Sequence, residues 1–221
     1  MVRSHLVTGD GSLGPRRIGI RFTERMVGHI VRGHMPEDDF LGAERAGQAA
    51  GTVVDLTLTI TTPDMPSFLA DSMHPGAAIG RLRVDGFTPP DGVPISSGVF
   101  NLFSPADSVF ARRMLYVLPF RGSDGKPYLL DGYKDVRDHG AFDVWPATST
   151  LYTVIREGHD PAGKVVASGV VRIRTTDFAK QLTTFRTVGD GSLLARAGAL
   201  ARFGHFFVGT LFDVFARPRF E

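Results

Sequence analysis

Few residues of this chain could do chemistry, and only one stretch gathers several of them. Asp131, Lys134 and Asp135, with His139 and Asp143 downstream, form the densest ionisable cluster. Brought together at the mouth of a β-barrel and desolvated, an Asp or His of this set is a candidate general base. The competing reading is surface ion pairing, the usual fate of charges that flank a strand end. If the chain is an enzyme, Asp131, Asp135, His139 and Asp143 are therefore its catalytic candidates. His29 and His34, followed by Glu37, Asp38 and Asp39, are the first metal candidate. A helical zinc pair needs histidines three or four apart, whereas these are five apart with Gly33 between them. One buried and one loop histidine is the better reading, and no metal site is expected. His74 and His159 lie in turn-like stretches and read as solvated.

Other catalytic patterns fall away. There is no cysteine, hence no disulfide, thiolate metal site or cysteine nucleophile. Ser96-Ser97-Gly98 and Gly189-Asp190-Gly191-Ser192 lack the Gly-x-Ser-x-Gly frame of a nucleophile elbow. Gly9-Asp10-Gly11-Ser12-Leu13-Gly14 follows no strand and opens no helix, so it is neither a phosphate loop nor a dinucleotide fingerprint. No cofactor is expected. The net charge of +2 comes without a Lys/Arg cluster on a docking motif, so nucleic acid is not an expected partner.

The aromatic residues differ in kind. Phe100, Phe103, Tyr116, Phe120, Tyr128, Tyr133, Phe142, Trp145 and Tyr152 surround one hairpin. Most must simply pack as core. Yet a barrel interior lined by aromatics with a few hydroxyls is also how an apolar ligand is held. Phe100, Tyr116, Tyr128, Tyr133, Trp145 and Tyr152 are the ligand-binding candidates. A hydrogen bond from Tyr116, Tyr128, Tyr133 or Trp145 would fix the ligand's orientation.

The elements that must position these residues are strands. From Arg112 to Arg137, Met114, Tyr116, Leu118 and Phe120 share one face and Leu115 and Val117 the other. Gly122-Ser123-Asp124-Gly125 turns the chain, and Tyr128 and Leu130 return against Leu129 and Tyr133. This predicts a long buried β-hairpin. Val54, Leu56, Leu58 and Ile60 alternate with Asp55, Thr57 and Thr59, a half-buried strand. Residues 18–32 read as one or two strands, with Ile18, Ile20 and Phe22 alternating, then Met26, Gly28 and Ile30. Further strands are expected over 78–87, 95–103, 150–157 and 164–176, with Phe100 and Leu102 facing opposite to Val99, Asn101 and Phe103. Residues 36–51 suit a loop or short helix, 66–73 a helical turn, and 138–148 an irregular connection.

After Asp177 the pattern becomes helical. Residues 177–185 carry helical spacing, and Ser192 can cap a longer helix over 193–215. Leu193, Ala197, Leu200, Phe203, Phe207, Leu211 and Val214 make its apolar stripe. The sequence therefore predicts a mainly β fold: an antiparallel β-barrel or barrel-like sandwich of about eight strands. The organisation is a loose lead-in over 1–17, a barrel over 18–176, and C-terminal helices packed on it over 177–221. No stretch approaches the ~18 uncharged apolar residues of a membrane helix. The N-terminal residues have no apolar core of signal-peptide length, so a soluble, cytoplasmic protein is expected. The C-terminal helix, with phenylalanines and arginines, keeps a peripheral membrane contact open.

Several stretches carry a resemblance. They are Phe22-Thr23-Glu24-Arg25-Met26, Gly98-Val99-Phe100-Asn101-Leu102-Phe103, Arg113-Met114-Leu115-Tyr116, Phe142-Asp143-Val144-Trp145-Pro146, Gln181-Leu182-Thr183-Thr184-Phe185-Arg186 and Gly198-Ala199-Leu200-Ala201-Arg202-Phe203-Gly204. Together they resemble an uncharacterised β-rich region of large bacterial proteins. Those proteins also carry a cholesterol-oxidase-like glucose–methanol–choline oxidoreductase module and sometimes an α/β-hydrolase module. The flavin-binding glycine motif and the nucleophile elbow are missing here, so neither activity carries over. The resemblance implies a neighbourhood of enzymes acting on sterols or other lipophilic substrates, and an oxidoreductase or hydrolase as partner. The expected function is a binding or accessory module for a lipophilic small molecule, sterol-like or fatty. The alternative is a cofactor-independent isomerase, cyclase or hydrolase using Asp/His acid–base chemistry. A scaffold whose terminal helix recruits a partner is a third reading.

Overall fold

The computed structural model describes residues 17–33, 39–108, 111–137, 144–174, 177 and 183–215. Eight strands follow one another: β1 (Gly19–Arg32), β2 (Val53–Thr61), β3 (Pro75–Val84), β4 (Val93–Pro105), β5 (Ala111–Arg121), β6 (Pro127–Arg137), β7 (Thr150–Glu157) and β8 (Val165–Ile173). Each pairs antiparallel with the next, and β1 pairs with both β2 and β8. The sheet is thus a closed eight-stranded up-and-down barrel. A short extra strand, β9 (Arg186–Val188), adds to the Gly19–Arg21 end of β1. Between the β8 and β9 contacts, Thr184 Oγ1 accepts from Thr23 N at 2.9 Å and donates to Thr23 O at 3.3 Å.

Alternation decides what lies inside. Val54, Leu56, Leu58 and Ile60 of β2 are buried, as are Met114, Tyr116, Leu118 and Phe120 of β5, while their strand neighbours are half-exposed. Residues 18–32 form one strand rather than two. Glu24 falls in phase with Ile20, Phe22 and Met26 and points into the barrel with them. On β4 the expected facing fails at one residue. The β4–β5 register shifts between Asn101 and Ser104, and Phe103 adopts φ 53°, so its ring is buried as well.

Helix α1 (Phe40–Ala49), in the stretch read as loop or short helix, opens on an Asp39 cap that accepts from Gly42 N at 2.9 Å. It covers the outer face of β1 and β8, where Glu44 pairs with Arg172. Helix α2 (Met65–Ala70) opens similarly on Asp64, with Pro66 in its first turn. Helix α3 (Val144–Ser149) replaces part of the expected irregular connection. Helix α4 (Leu193–Phe215) begins as expected, with Ala195 N donating to Ser192 Oγ at 3.2 Å.

Over its C-terminal half α4 presents the expected stripe to the barrel, with Phe203 and Val214 buried and Phe207 and Leu211 packed on the core; its first turns are a correction. Leu193 and Leu200, expected in its apolar stripe, are 87% and 39% exposed, whereas Ala199, Phe203 and Val214 are buried. Apolar residues occur almost all round this helix, so spacing alone does not choose a face. The choice falls to the aromatic barrel rim: Phe203 packs on Phe22, Phe68 and Phe185, and Phe206 and Phe207 pack on Phe103. α4 therefore lies over one end of the barrel. The opposite end is filled by Phe87, Phe120 and Tyr128, with the Tyr128 ring packed against both phenylalanines.

Candidate functional site

Beneath α4 the interior is not filled. A cavity of about 420 Å³ remains, within the range of small-molecule sites. Phe22 of β1, Phe100 and Leu102 of β4, and Met114 of β5 supply part of the wall. Trp145 of α3, Phe185, and Phe203, Phe207 and Leu211 of α4 supply the rest. The strand residues reach it because they are the inward members of their alternating pairs. The helix residues reach it because α4 turns Phe203, Phe207 and Leu211 down.

Polar side chains break this apolar lining: Thr148 and Ser149 of α3, and three ionisable groups, Glu24 on β1, Tyr116 on β5 and Lys134 on β6. Lys134 Nζ donates to Glu24 Oε2 at 3.1 Å, and both side chains are 2% exposed. β1 and β6 are not neighbours in the sheet, so this ion pair crosses the lumen. Lys134 Nζ also lies 5.2 Å from the centre of the Tyr116 ring. Removing two charges from water is costly and is repaid only by close pairing and further hydrogen bonds. Glu24 Oε1 and Tyr116 Oη are both sealed from solvent without a well-aligned hydrogen bond, and the Tyr116 phenol is close enough to the Glu24 carboxylate to interact with it directly. Burial, then the neighbouring Glu24 charge and a hydrogen bond to that carboxylate, push the Tyr116 phenol pKa well above its ordinary value. The phenol stays protonated and keeps its donor.

No family model, curated protein or solved structure matches the chain. The site is accordingly read from its own geometry.

The structure divides the residues expected from sequence. Phe100, Tyr116 and Trp145 line the cavity together. Tyr128 points into the barrel but sits at the filled end, where its hydroxyl donates to Asp124 at 2.9 Å. Tyr133 and Tyr152 are on the outer face, packed together under Phe40 of α1. Asp131 and Asp135 are outside too, for the same reason: on β6 the even-numbered residues 128–136 point inward and the odd ones outward. Asp135 pairs with Arg137 at 2.7 Å and Asp131 with Arg156 at 3.5 Å. Burial raises the Asp131 carboxyl pKa, against the pull of Arg156. The expected gathering of these carboxylates at the barrel mouth therefore does not occur for Asp131 and Asp135. His139 and Asp143, like Phe142 and His34, lie outside the described residues. His29 Nδ1 lies 3.2 Å from the Thr52 carbonyl oxygen. Among the described residues no three His, Asp or Glu side chains converge on a point that could hold a metal ion.

Glu24 is not singled out by the sequence reading, and Lys134 enters it only as part of the surface cluster. A signal for both was present in the strand phase. Glu24 occupies an inward position between Phe22 and Met26, and Lys134 one between Leu130 and Val136. A charged residue in phase with a buried apolar face must be paired inside the core.

Proposed function

We propose that this chain is a binding or accessory module for a lipophilic small molecule, held in the barrel cavity beneath α4. The observation that carries this reading is the cavity itself: about 420 Å³, walled by Phe22, Phe100, Trp145, Phe185, Phe203 and Phe207, with one polar cluster. Empty apolar space of this size forgoes packing contacts that a ligand would restore. The resemblance to a region accompanying cholesterol-oxidase-like oxidoreductases and hydrolases supports a sterol-like or fatty ligand and a partner enzyme of that kind. Leu194 and Phe212, both more than half exposed on α4, support a peripheral contact with that partner or with a membrane surface.

The test is native mass spectrometry of protein purified from its own host, with organic extraction of what co-purifies. The expected result is a stoichiometric lipophilic compound, retained by wild type and lost when Phe100 and Phe203 are replaced by large polar residues. A wild-type protein that neither carries nor takes up any lipophilic compound overturns the proposal.

A second reading, cofactor-independent acid–base catalysis, is favoured by one observation. The ionisable groups facing the cavity are Glu24, Lys134 and Tyr116, rather than the outward aspartates. Turnover of the extracted compound that disappears in Tyr116→Phe would favour this reading over simple binding.

A further inference from the structure

We infer that the cavity opens to solvent through a slot between α3 and α4, that Gly204 keeps this slot clear, and that it admits neutral, apolar molecules. This deepens the binding reading and rests on it.

The lining residues differ in exposure. Every one contributed by β1, β4, β5, β6 and β8 is buried, so the barrel wall is closed. The helices behave otherwise. Val208 of α4 lines the cavity and is 65% exposed, and Val144 of α3 lines it and is 37% exposed. A side chain that faces both the void and the solvent stands where the two meet. The opening therefore runs between these two helices.

Gly204 stands one turn before Val208 on the same side of α4. It lines the cavity too, and a Cβ built on it would meet no neighbouring atom within 4 Å. Open space alone does not mark it out, since Gly198 and Gly209 of α4 also meet nothing within 4 Å. Those two are not part of the lining, whereas the space at Gly204 belongs to the slot. A larger side chain there would project into the passage.

The chemistry of the slot selects what passes. None of the lining residues on α3 or α4 is ionisable. Thr148 donates its hydroxyl to the Val144 carbonyl oxygen at 2.7 Å, within its own helix. An ion crossing here would give up water and gain no opposite charge, while an apolar molecule has no such cost. The ionisable side chains of Glu24, Lys134 and Tyr116 lie on the strands and interact with one another.

The chain has no cysteine, so one introduced on α4 can be labelled uniquely. Gly204→Cys, Val208→Cys and Gly209→Cys would each be joined by a disulfide to a methylthio or a benzylthio group. The probe is N-phenylnaphthalen-1-amine, neutral and apolar. Its arrival is followed in stopped flow by energy transfer from Trp145, the sole tryptophan and a cavity-lining residue. The expected result is that benzylthio at position 204 or 208 slows association about tenfold, that methylthio slows it much less, and that reducing the disulfide restores the unlabelled rate. The same labels at position 209 should leave the rate unchanged. In wild type the anionic relative 8-anilinonaphthalene-1-sulfonate should associate roughly tenfold more slowly than the neutral probe. An unchanged rate with benzylthio at both 204 and 208, equal slowing at 209, or equal rates for the two probes would overturn the slot and leave the cavity reading standing. Absence of energy transfer to the neutral probe in wild type would overturn both.

Discussion

Lys134 and Glu24 show what a single residue can cost this fold. Each is almost completely buried, and the two form an ion pair at 3.1 Å. Lys134→Met alone strands a carboxylate in the core and should destabilise the protein by about 3–5 kcal/mol. The double variant Glu24→Leu/Lys134→Met removes both charges and should lie within about 1 kcal/mol of wild type, or above it. Urea unfolding of the three proteins checks this; a double variant as unstable as the single one would show that the pair supports the fold through more than its mutual neutralisation. The same residues mark where the sequence was hard to read. A charged residue in an apolar strand looks like a break in the strand. That is why 18–32 divides into two runs at Glu24 on sequence alone. Charge density is also a poor guide to burial here, since Asp131 and Asp135 are the outward neighbours of an inward lysine.

At the scale of elements, α4 is held by aromatic stacking against a strained rim. His74 and Phe103 are the described non-glycine residues with positive φ, at 43° and 53°. Such backbone costs roughly 1–3 kcal/mol per residue and persists only where packing enforces it. The His74 ring lies 4.6 Å from that of Phe206 and 5.4 Å from that of Phe68. Burial holds the His74 pKa below its ordinary 6.5, opposed by the Leu102 backbone and Asp71. The folded state therefore binds fewer protons than the unfolded chain between those two pKa values. Stability from this group is complete above about pH 6.5, declines as pH falls toward the folded pKa, and is level below it. Urea midpoints at about pH 7.5 and about pH 5.5 should differ more in wild type than in His74→Asn, which tolerates the same φ but does not titrate. Equal differences would acquit His74. Phe203→Ala, deleting a buried ring shared by Phe22, Phe68 and Phe185, should cost about 3–5 kcal/mol by the same assay. The existence of α4 and its Ser192 cap were legible in the sequence, because cap chemistry is local. Its docking face was legible over Phe203, Phe207, Leu211 and Val214, but not that Leu193 and Leu200 stay exposed, because the barrel rim that ends the contact is assembled from strands far away in the chain.

For the whole molecule, closure depends on the seam between β1 and β8. There Gly28 pairs with Val171 and Ile30 with Gly169. A Cβ on Gly28 would meet the Val170 carbonyl oxygen at 2.0 Å, and one on Gly169 that of His29 at 2.1 Å. Backbone on both sides leaves nothing flexible to yield. Gly28→Ala and Gly169→Ala should each cost about 1–3 kcal/mol or more, by forcing the seam apart. Thermal unfolding followed by near-ultraviolet circular dichroism would read this, and an unchanged midpoint would show that the seam relaxes. The barrel itself was legible, since alternation fixes each strand's inner face and short turns make neighbours in sequence neighbours in space. The cavity was not, because a void belongs to no residue. The seam also sets a timetable. Thr23 on β1 is stitched to Thr184, 161 residues later. At about 5–20 residues per second, a ribosome needs on the order of ten seconds or more to deliver that partner. For most of that interval the first strand has at most β2 along one edge, because β8, its partner on the other, begins only at Val165. An open apolar strand edge invites pairing with another chain. Slowing translation over residues 60–165 should therefore lower soluble yield, and a chaperone that shields nascent strands should restore it.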